Sequence, residues 1–502
     1  LTDLGSRHNL PNKRQKWNDD TAEKNRNAAE GDGKAKPYLS VNFTSEEIAA
    51  ESRRPKRKVA VMIGYAGTGY SGLQINHDDK TIESDIFRAF VAAGAISKAN
   101  ADDPKKSSLS RCARTDKGVH AAGNLLSLKL IIEDEDVVDK INANLPEQIR
   151  VWGIQRTNNG FNCYQSCNSR WYEYLMPSYA LLPPSPQSFL GKKIIESAKE
   201  KGVYEEYLGR LEDVQGFWEE VDRNEIQPIL QSLTPDVRAK VVDVLKATYD
   251  QQLDEDSVQA TATSSTATTD NETSKKPLED NEPSNAGETE AQGVEASDNT
   301  GSADEQHQLS PTELAIKEVK AAYVAAKRRY RVTPDRVSKF QAALDLYKGT
   351  HNFHNYTIQK NANDPSAKRH IKSFMVNPQP ISIRDTEWLS IKVHGQSFMM
   401  HQIRKMIAMA VMVTRCGTSP DLIPQTYGPR RISIPKAPGL GLMLERPIFD
   451  DYNKRATEQL GREAIDFDKF DDQIQQFKDR EIYSRMFEVE EKENSYVSQR
   501  LY

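Results

Sequence analysis

Between Gln251 and Ser310 the chain carries fourteen Asp and Glu against two Lys, with few large apolar side chains. A stretch so charged and so poor in apolar surface cannot offset the entropy of ordering, so an acidic, disordered insertion is expected over 251–312. Whatever folds must therefore fold on either side of it. This imposes two ordered segments, 58–192 and 313–450, on one 502-residue chain. The formal net charge of −5 hides the same division. With −12 held by the insertion, the other 442 residues carry +7, a mild basic excess that suits a phosphate-bearing partner.

Three further regions flank the ordered segments. Residues 1–57 read as a disordered basic arm with two clusters, Lys13-Arg14-Gln15-Lys16 and Arg53-Arg54-Pro55-Lys56-Arg57-Lys58. Such blocks serve as nuclear-import signals or as electrostatic arms; two of them point to the nucleus and to the import machinery as a partner. Residues 193–250 read as a helical insertion and 451–502 as a helical C-terminal extension. The first residue is Leu1, so the native N-terminus is expected upstream. LTDLGSRHNLPNKRQKW has no apolar core for a signal peptide, and no run of about 18 apolar residues appears, so no membrane partner is expected.

The four cysteines suit a reducing compartment. Cys163 and Cys167 lack a second pair, and His351 and His354 lack a third ligand; zinc is not excluded, but no ligand motif is present. Gly64–Gly72 lacks the GK[ST] of a P-loop, so no nucleotide cofactor is indicated.

Strand and helix alternate through both ordered segments. VAVMIGY (59–65), NLLSLKLII (124–132) and IRVWGIQRT (149–157) read as strands. TIESDIFRAFVAAG (81–94) and DVVDKINANL (136–145) show helical spacing. In the second segment a helix over 336–347 precedes the strand-like runs 374–383 and 388–395. The apolar stripe Met399, Ile403, Met406, Ile407, Ala410 then marks a core-facing helix. Two α/β lobes with a cleft between them follow from this order.

Ser110–Gly123, SRCARTDKGVHAAG, surrounds Asp116 with Arg111, Arg114, Lys117 and His120. An exposed aspartate in a basic loop looks like this. So does a nucleophile that must stay ionised. Burial raises a carboxyl pKa by up to ~3–5 units and one guanidinium lowers it by ~1–3, so a buried nucleophilic Asp116 needs an arginine held against it. In FNCYQSCNSRWYEYLMP (161–177), Arg170, Tyr172 and Tyr174 share one face of a predicted strand, either as core or as a base-stacking surface. Arg404 sits among apolar neighbours in GQSFMMHQIRKM, where it snorkels to solvent or pairs with a carboxylate.

The order GYAGTGYSGLQ, TIE, RCARTDKGVHA, FNCYQSCNSRWYEYLMP, GQSFMMHQIRKM, APGLGLMLE closely resembles the TruA-type pseudouridine synthases, over roughly 58–192 and 314–450. Ala66, the acidic insertion and the C-terminal extension are similar to the eukaryotic nuclear multi-site members. The resemblance implies an α+β fold of two RRM-like (ferredoxin-like) lobes whose antiparallel sheets meet around a basic RNA-binding cleft. It implies a cofactor-free isomerisation of tRNA uridines in the anticodon stem and loop, with snRNA and mRNA as further substrates. Asp116 matches the catalytic aspartate, Tyr172 the tyrosine that stacks on the uracil, Arg404 the arginine paired with the aspartate. Arg114 matches the residue that holds the flipped nucleotide; Arg111, Lys117, His120, Arg170 and Phe398 complete the expected RNA-binding set. The insertions and extension favour a monomer over the homodimer of bacterial members. A catalytically inactive RNA-binding protein or tRNA chaperone of the same fold would lack one of the trio Asp116, Tyr172, Arg404. A glycoside hydrolase would need a second carboxylate.

Overall fold

The computed structural model describes residues 43–76, 79–245 and 310–498. The basic cluster at 13–16 and the expected disordered insertion, apart from its last residues, lie outside the described residues.

Ten strands form one sheet in the order β4-β1-β3-β10-β5-β9-β7-β6, with β2 on β3 and β8 on β9. The strands are β1 (Arg57–Tyr65), β2 (Ser110–Arg111), β3 (His120–Leu130), β4 (Ile149–Arg156), β5 (Ser169–Pro177), β6 (Gly349–Asn352), β7 (Lys368–Val376), β8 (Ile381–Ile383), β9 (Thr386–Gly395) and β10 (Leu442–Ile448). All pairs are antiparallel except β10 with β3, so the architecture is α+β with a mostly antiparallel sheet. The continuous apolar run of β1 fits its place between β3 and β4, where nearly every residue is buried. The run read as one strand at 374–383 is two, β7 and β8, separated by Asn377–Pro380; Pro378 and Pro380 withhold the N–H donors a ladder needs.

The two ordered segments interlace rather than stand apart. β5 comes from the first and pairs with β9 of the second. β10, the last strand, enters between β3 and β5 and joins the halves. Among the helices that position the site, α1 (Ile82–Ala92) buries Ile82, Ile86 and Phe90, and Thr81 caps its N-terminus. Helix α2 (Gln402–Arg415) buries Ile403, Met406, Ile407 and Ala410 of the stripe; Met399, expected on the same helix, precedes it and lies half-buried in the pocket wall.

Residues 43–57, read from sequence as disordered arm, are structured. A short helix, Ser45–Ala49, starts in a Thr44–Glu47 capping box. Arg54 binds Asp134 through both terminal nitrogens (2.6 and 3.1 Å), and Arg57 Nε donates to Glu133. These charges fold back on the sheet's own acidic loop.

The C-terminal extension covers the sheet face that carries Glu173. There Lys478, 6% exposed, sits 3.2 Å from Glu173 and 3.0 Å from Glu445. Tyr483 and Ser390 donate their hydroxyls to the two Glu173 oxygens. Desolvation works to raise Glu173, yet Lys478 and these hydroxyls hold its carboxyl below the usual range.

Candidate active site

The opposite face carries Arg170 and Tyr172, and over it opens a pocket of about 640 Å³ lined by both segments. The loop 112–119 reaches it because backbone packs directly on backbone. A Cβ at Gly67 would lie 2.2 Å from the Val119 carbonyl oxygen, and one at Gly72 would lie 2.9 Å from that of Thr115. The glycine-punctuated turn 64–72 is thus a cradle for the Asp116 loop. Leu73 N donates to Thr115 O, and Gly118 N to Tyr70 O. Tyr65 Oη and Thr115 Oγ1 lie 2.8 Å apart, with Asn124 donating to the same phenol. Gly118 turns the chain at φ +74°, a conformation that costs a side-chain-bearing residue energy.

The second wall is the segment 397–404 entering α2. His401 adopts φ +62°, in the left-handed region, directly before the helix. Its Nδ1 stands 3.5 Å from Asp116 Oδ2, with the imidazole 13% and the carboxyl 43% exposed. Sequence reasoning missed this neighbour; a histidine three residues before an arginine gives no signal that it, rather than the arginine, meets the carboxylate. Arg404 lies farther back. Its Nε donates to Ala437 O at 2.7 Å, and its guanidinium lies beside Gly439. The APGLGLMLE stretch therefore serves to seat Arg404. His401 is the largest influence holding the Asp116 carboxyl below its usual range; Arg404 and Lys436 add charge at longer reach, against desolvation.

Tyr172 is 9% exposed and lines the floor; burial pushes its phenol well up. Phe398 meets Tyr172 edge to face, centroids 5.3 Å apart, in the same pocket. Arg170, 8% exposed, donates to Cys112 O (3.0 Å) and Gln396 O (3.2 Å), tying the Asp116 loop to the second wall. Arg114 is exposed and lines the pocket. Lys117 is exposed on the loop. Arg111 lines the pocket too, but its Nε and Nη2 grip the buried Glu83 of TIE at 2.9 and 2.8 Å.

His120 is a correction. Expected among the RNA contacts, it is fully buried at the start of β3, where Nδ1 accepts from Gly67 N. Burial pulls its pKa down to about 4, so it is neutral and out of reach of RNA.

Among the described residues no group of three His, Cys, Asp or Glu could hold a metal ion. Cys163 donates to Ser110 O and Cys167 to Ser169 O. His351 stacks on Tyr427, and His354 is buried.

A pocketed carboxylate kept ionised above a buried tyrosine suits covalent or electrostatic chemistry on a base or sugar. Comparison with known proteins narrows this. A family model described as tRNA pseudouridine synthase matches residues 343–450. The tRNA pseudouridine synthase 1 of Yarrowia lipolytica is 43% identical over 447 residues, 88% of this chain and 73% of that protein. That of Saccharomyces cerevisiae is 44% identical over 445 residues, 88% of this chain and 70% of the other. The tRNA pseudouridine(27/28) synthase of Saccharomyces cerevisiae is 34% identical over 424 residues, 84% and 92% of the two. Identity of this level across most of the chain leaves one assignment: the chain belongs to the TruA-type tRNA pseudouridine synthase family.

Proposed function

We propose that this chain is an isomerase converting uridine to pseudouridine in tRNA at the Asp116 pocket. The observation that carries the reading is the contact of Asp116 with His401, made in an open pocket that Tyr172 also lines and that both segments wall. The reaction breaks the N1–C1′ bond and forms a C5–C1′ bond; the proton on C5 leaves and N1 gains one, so no atom is added or lost. Asp116 enters as a carboxylate and adds to the sugar or the base while the uracil detaches and turns. Tyr172, held as a neutral phenol by burial, gives the uracil a flat surface and a proton donor. Arg404, with its charge directed to the same carboxylate, keeps Asp116 ionised once RNA closes the pocket. Extruding the uridine costs a few kcal/mol; Arg114 and Lys117 offset this at the phosphates.

We further read the halves of the sheet as RRM-like lobes, and the preferred targets as uridines of the anticodon stem and loop. Support comes from the resemblance to the multi-site members and from a relative named tRNA pseudouridine(27/28) synthase. snRNA and mRNA substrates, nuclear residence and a monomeric state belong to the same reading.

Pseudouridine mapping on unmodified tRNA transcripts, for the chain and for Asp116→Ala, tests it. Product from the parent and none from the variant, with tRNA binding retained, is expected. Binding without product in both would leave the RNA-binding protein as the function.

A further inference from the structure

Tyr164, 66% exposed, is more exposed than Met400, the other exposed large hydrophobic residue lining the pocket. An exposed aromatic taken singly is unremarkable, but this one is held in place. Asn162 Oδ1 accepts from Tyr164 N (3.0 Å) and Gln165 N (3.2 Å), and Ser166 N donates to Asn162 O, so the backbone beneath the ring is a closed turn. The Arg170 guanidinium lies 6.0 Å from the ring centroid, and the rest of Arg170 is anchored to Cys112 and Gln396. Arg369 of β7 interacts electrostatically with the Tyr164 hydroxyl, and its own Nε is buried without an acceptor. An aromatic ring presented to solvent on the pocket rim, beside an anchored guanidinium, has the makings of a stacking platform for a single-stranded base.

We propose that Tyr164 forms a second base subsite, stacking on a nucleobase adjacent to the uridine held at Tyr172. This rests on the tRNA-isomerase reading for the identity of the RNA. The arrangement follows from the fold: Tyr164 precedes β5 by five residues and Tyr172 lies within that strand. One short stretch of chain then presents two rings to one pocket, one buried for the reacting base and one exposed for its neighbour. Stacking the neighbour holds open the gap from which the uridine was extruded.

The test uses the full chain and an anticodon stem-loop RNA with 2-aminopurine placed 5′ or 3′ of the target uridine. With Asp116→Ala present to prevent turnover, quenching of one of the two probes is expected with Tyr164, is retained in Tyr164→Phe and is lost in Tyr164→Ala. Affinity should fall roughly 5- to 150-fold in Tyr164→Ala, the range of one stacked base. In the otherwise unaltered enzyme Tyr164→Ala should raise KM by a similar factor and keep kcat. Quenching at neither position, or equal affinity for parent and Tyr164→Ala, overturns the proposal. Equal impairment of Tyr164→Phe does so as well, since the hydroxyl and not the ring would then be at work. A parent that binds and quenches but makes no pseudouridine would overturn the isomerase reading and leave the subsite standing.

Discussion

Strand β5 has two faces, and they are built to opposite rules. On one, Glu173 lies among Lys478, Tyr483 and Ser390, with every carboxylate oxygen bonded. On the other, Tyr172 floors an open pocket in which Asp116 keeps 43% exposure and a 3.5 Å contact in place of a short hydrogen bond. One face is a closed network that fixes the C-terminal extension to the sheet. The other keeps its polar groups under-committed. A carboxylate with all its acceptor capacity used cannot attack, and one without a cationic neighbour does not stay ionised as RNA expels water. The difference shows where this fold keeps its stability and where it keeps its reactivity.

The sharpest way to break the comparison is Lys478→Met. It leaves the buried Glu173 and the half-buried Glu445 without their cation, and a loss of about 3–5 kcal/mol is expected, read as a lower denaturant midpoint. Pseudouridine formation per folded molecule should be unchanged; a lower kcat at full folding would mean the two faces are coupled. A smaller effect tests the buried His120. Its pKa falls from 6.5 to about 4 on folding. The unfolded chain takes up a proton near 6.5 and the folded one only near 4, so the stabilisation is complete above 6.5. It is lost as pH falls through that window, by about 3 kcal/mol in all. Urea melts at pH 7 and 4.5 should show this slope in the parent and a reduced one in His120→Asn, which retains an acceptor for Gly67 N. Equal slopes would place the acid sensitivity elsewhere. The smallest effect belongs to the reactive face. His401→Asn keeps a residue tolerant of the left-handed backbone and removes the imidazole from Asp116. Because His401 lowers the Asp116 pKa, the acid limb of the kcat/KM profile should move to higher pH. At 3.5 Å in a half-wet site the loss is about 1 kcal/mol, roughly fivefold in rate. Stability should not change, and an unmoved acid limb would return the main charge role to Arg404.

Much of this was legible in the sequence because it is local. The apolar run of β1, the 3.6-residue stripe of α2 and the Thr81 cap of α1 are properties of neighbouring residues. So are the ordered motifs from which Asp116, Tyr172 and Phe398 were collected into one pocket. What escaped was non-local. The basic fence around Asp116 looks uniform in sequence, but its place between β2 and β3 divides it. Arg114 and Lys117 face solvent, Arg111 is held by Glu83 from 28 residues upstream, and His120 is turned into the core. The glycines of 64–72 read as a turn; that they cradle a loop some 50 residues away depends on a backbone contact no spacing reveals. The partner of Asp116 was sought in an arginine because charge was the criterion, and the left-handed entry to α2 that delivers His401 has no sequence signature.

The place of β10 also bears on how the chain is made. It is the last strand in sequence and the one that joins β3 to β5 in the centre of the sheet. During synthesis, β3 has left the ribosome long before Leu442. At 5–20 residues per second the delay over some 310 residues is roughly 15–60 s. Until β10 emerges, β3 and β5 present unpaired edges, the surface on which chains aggregate. The sheet that carries the Asp116 loop and Tyr172 is therefore joined only when β10 arrives, and a chain that ends before Leu442 would carry both residues on strands whose edges are not yet bridged.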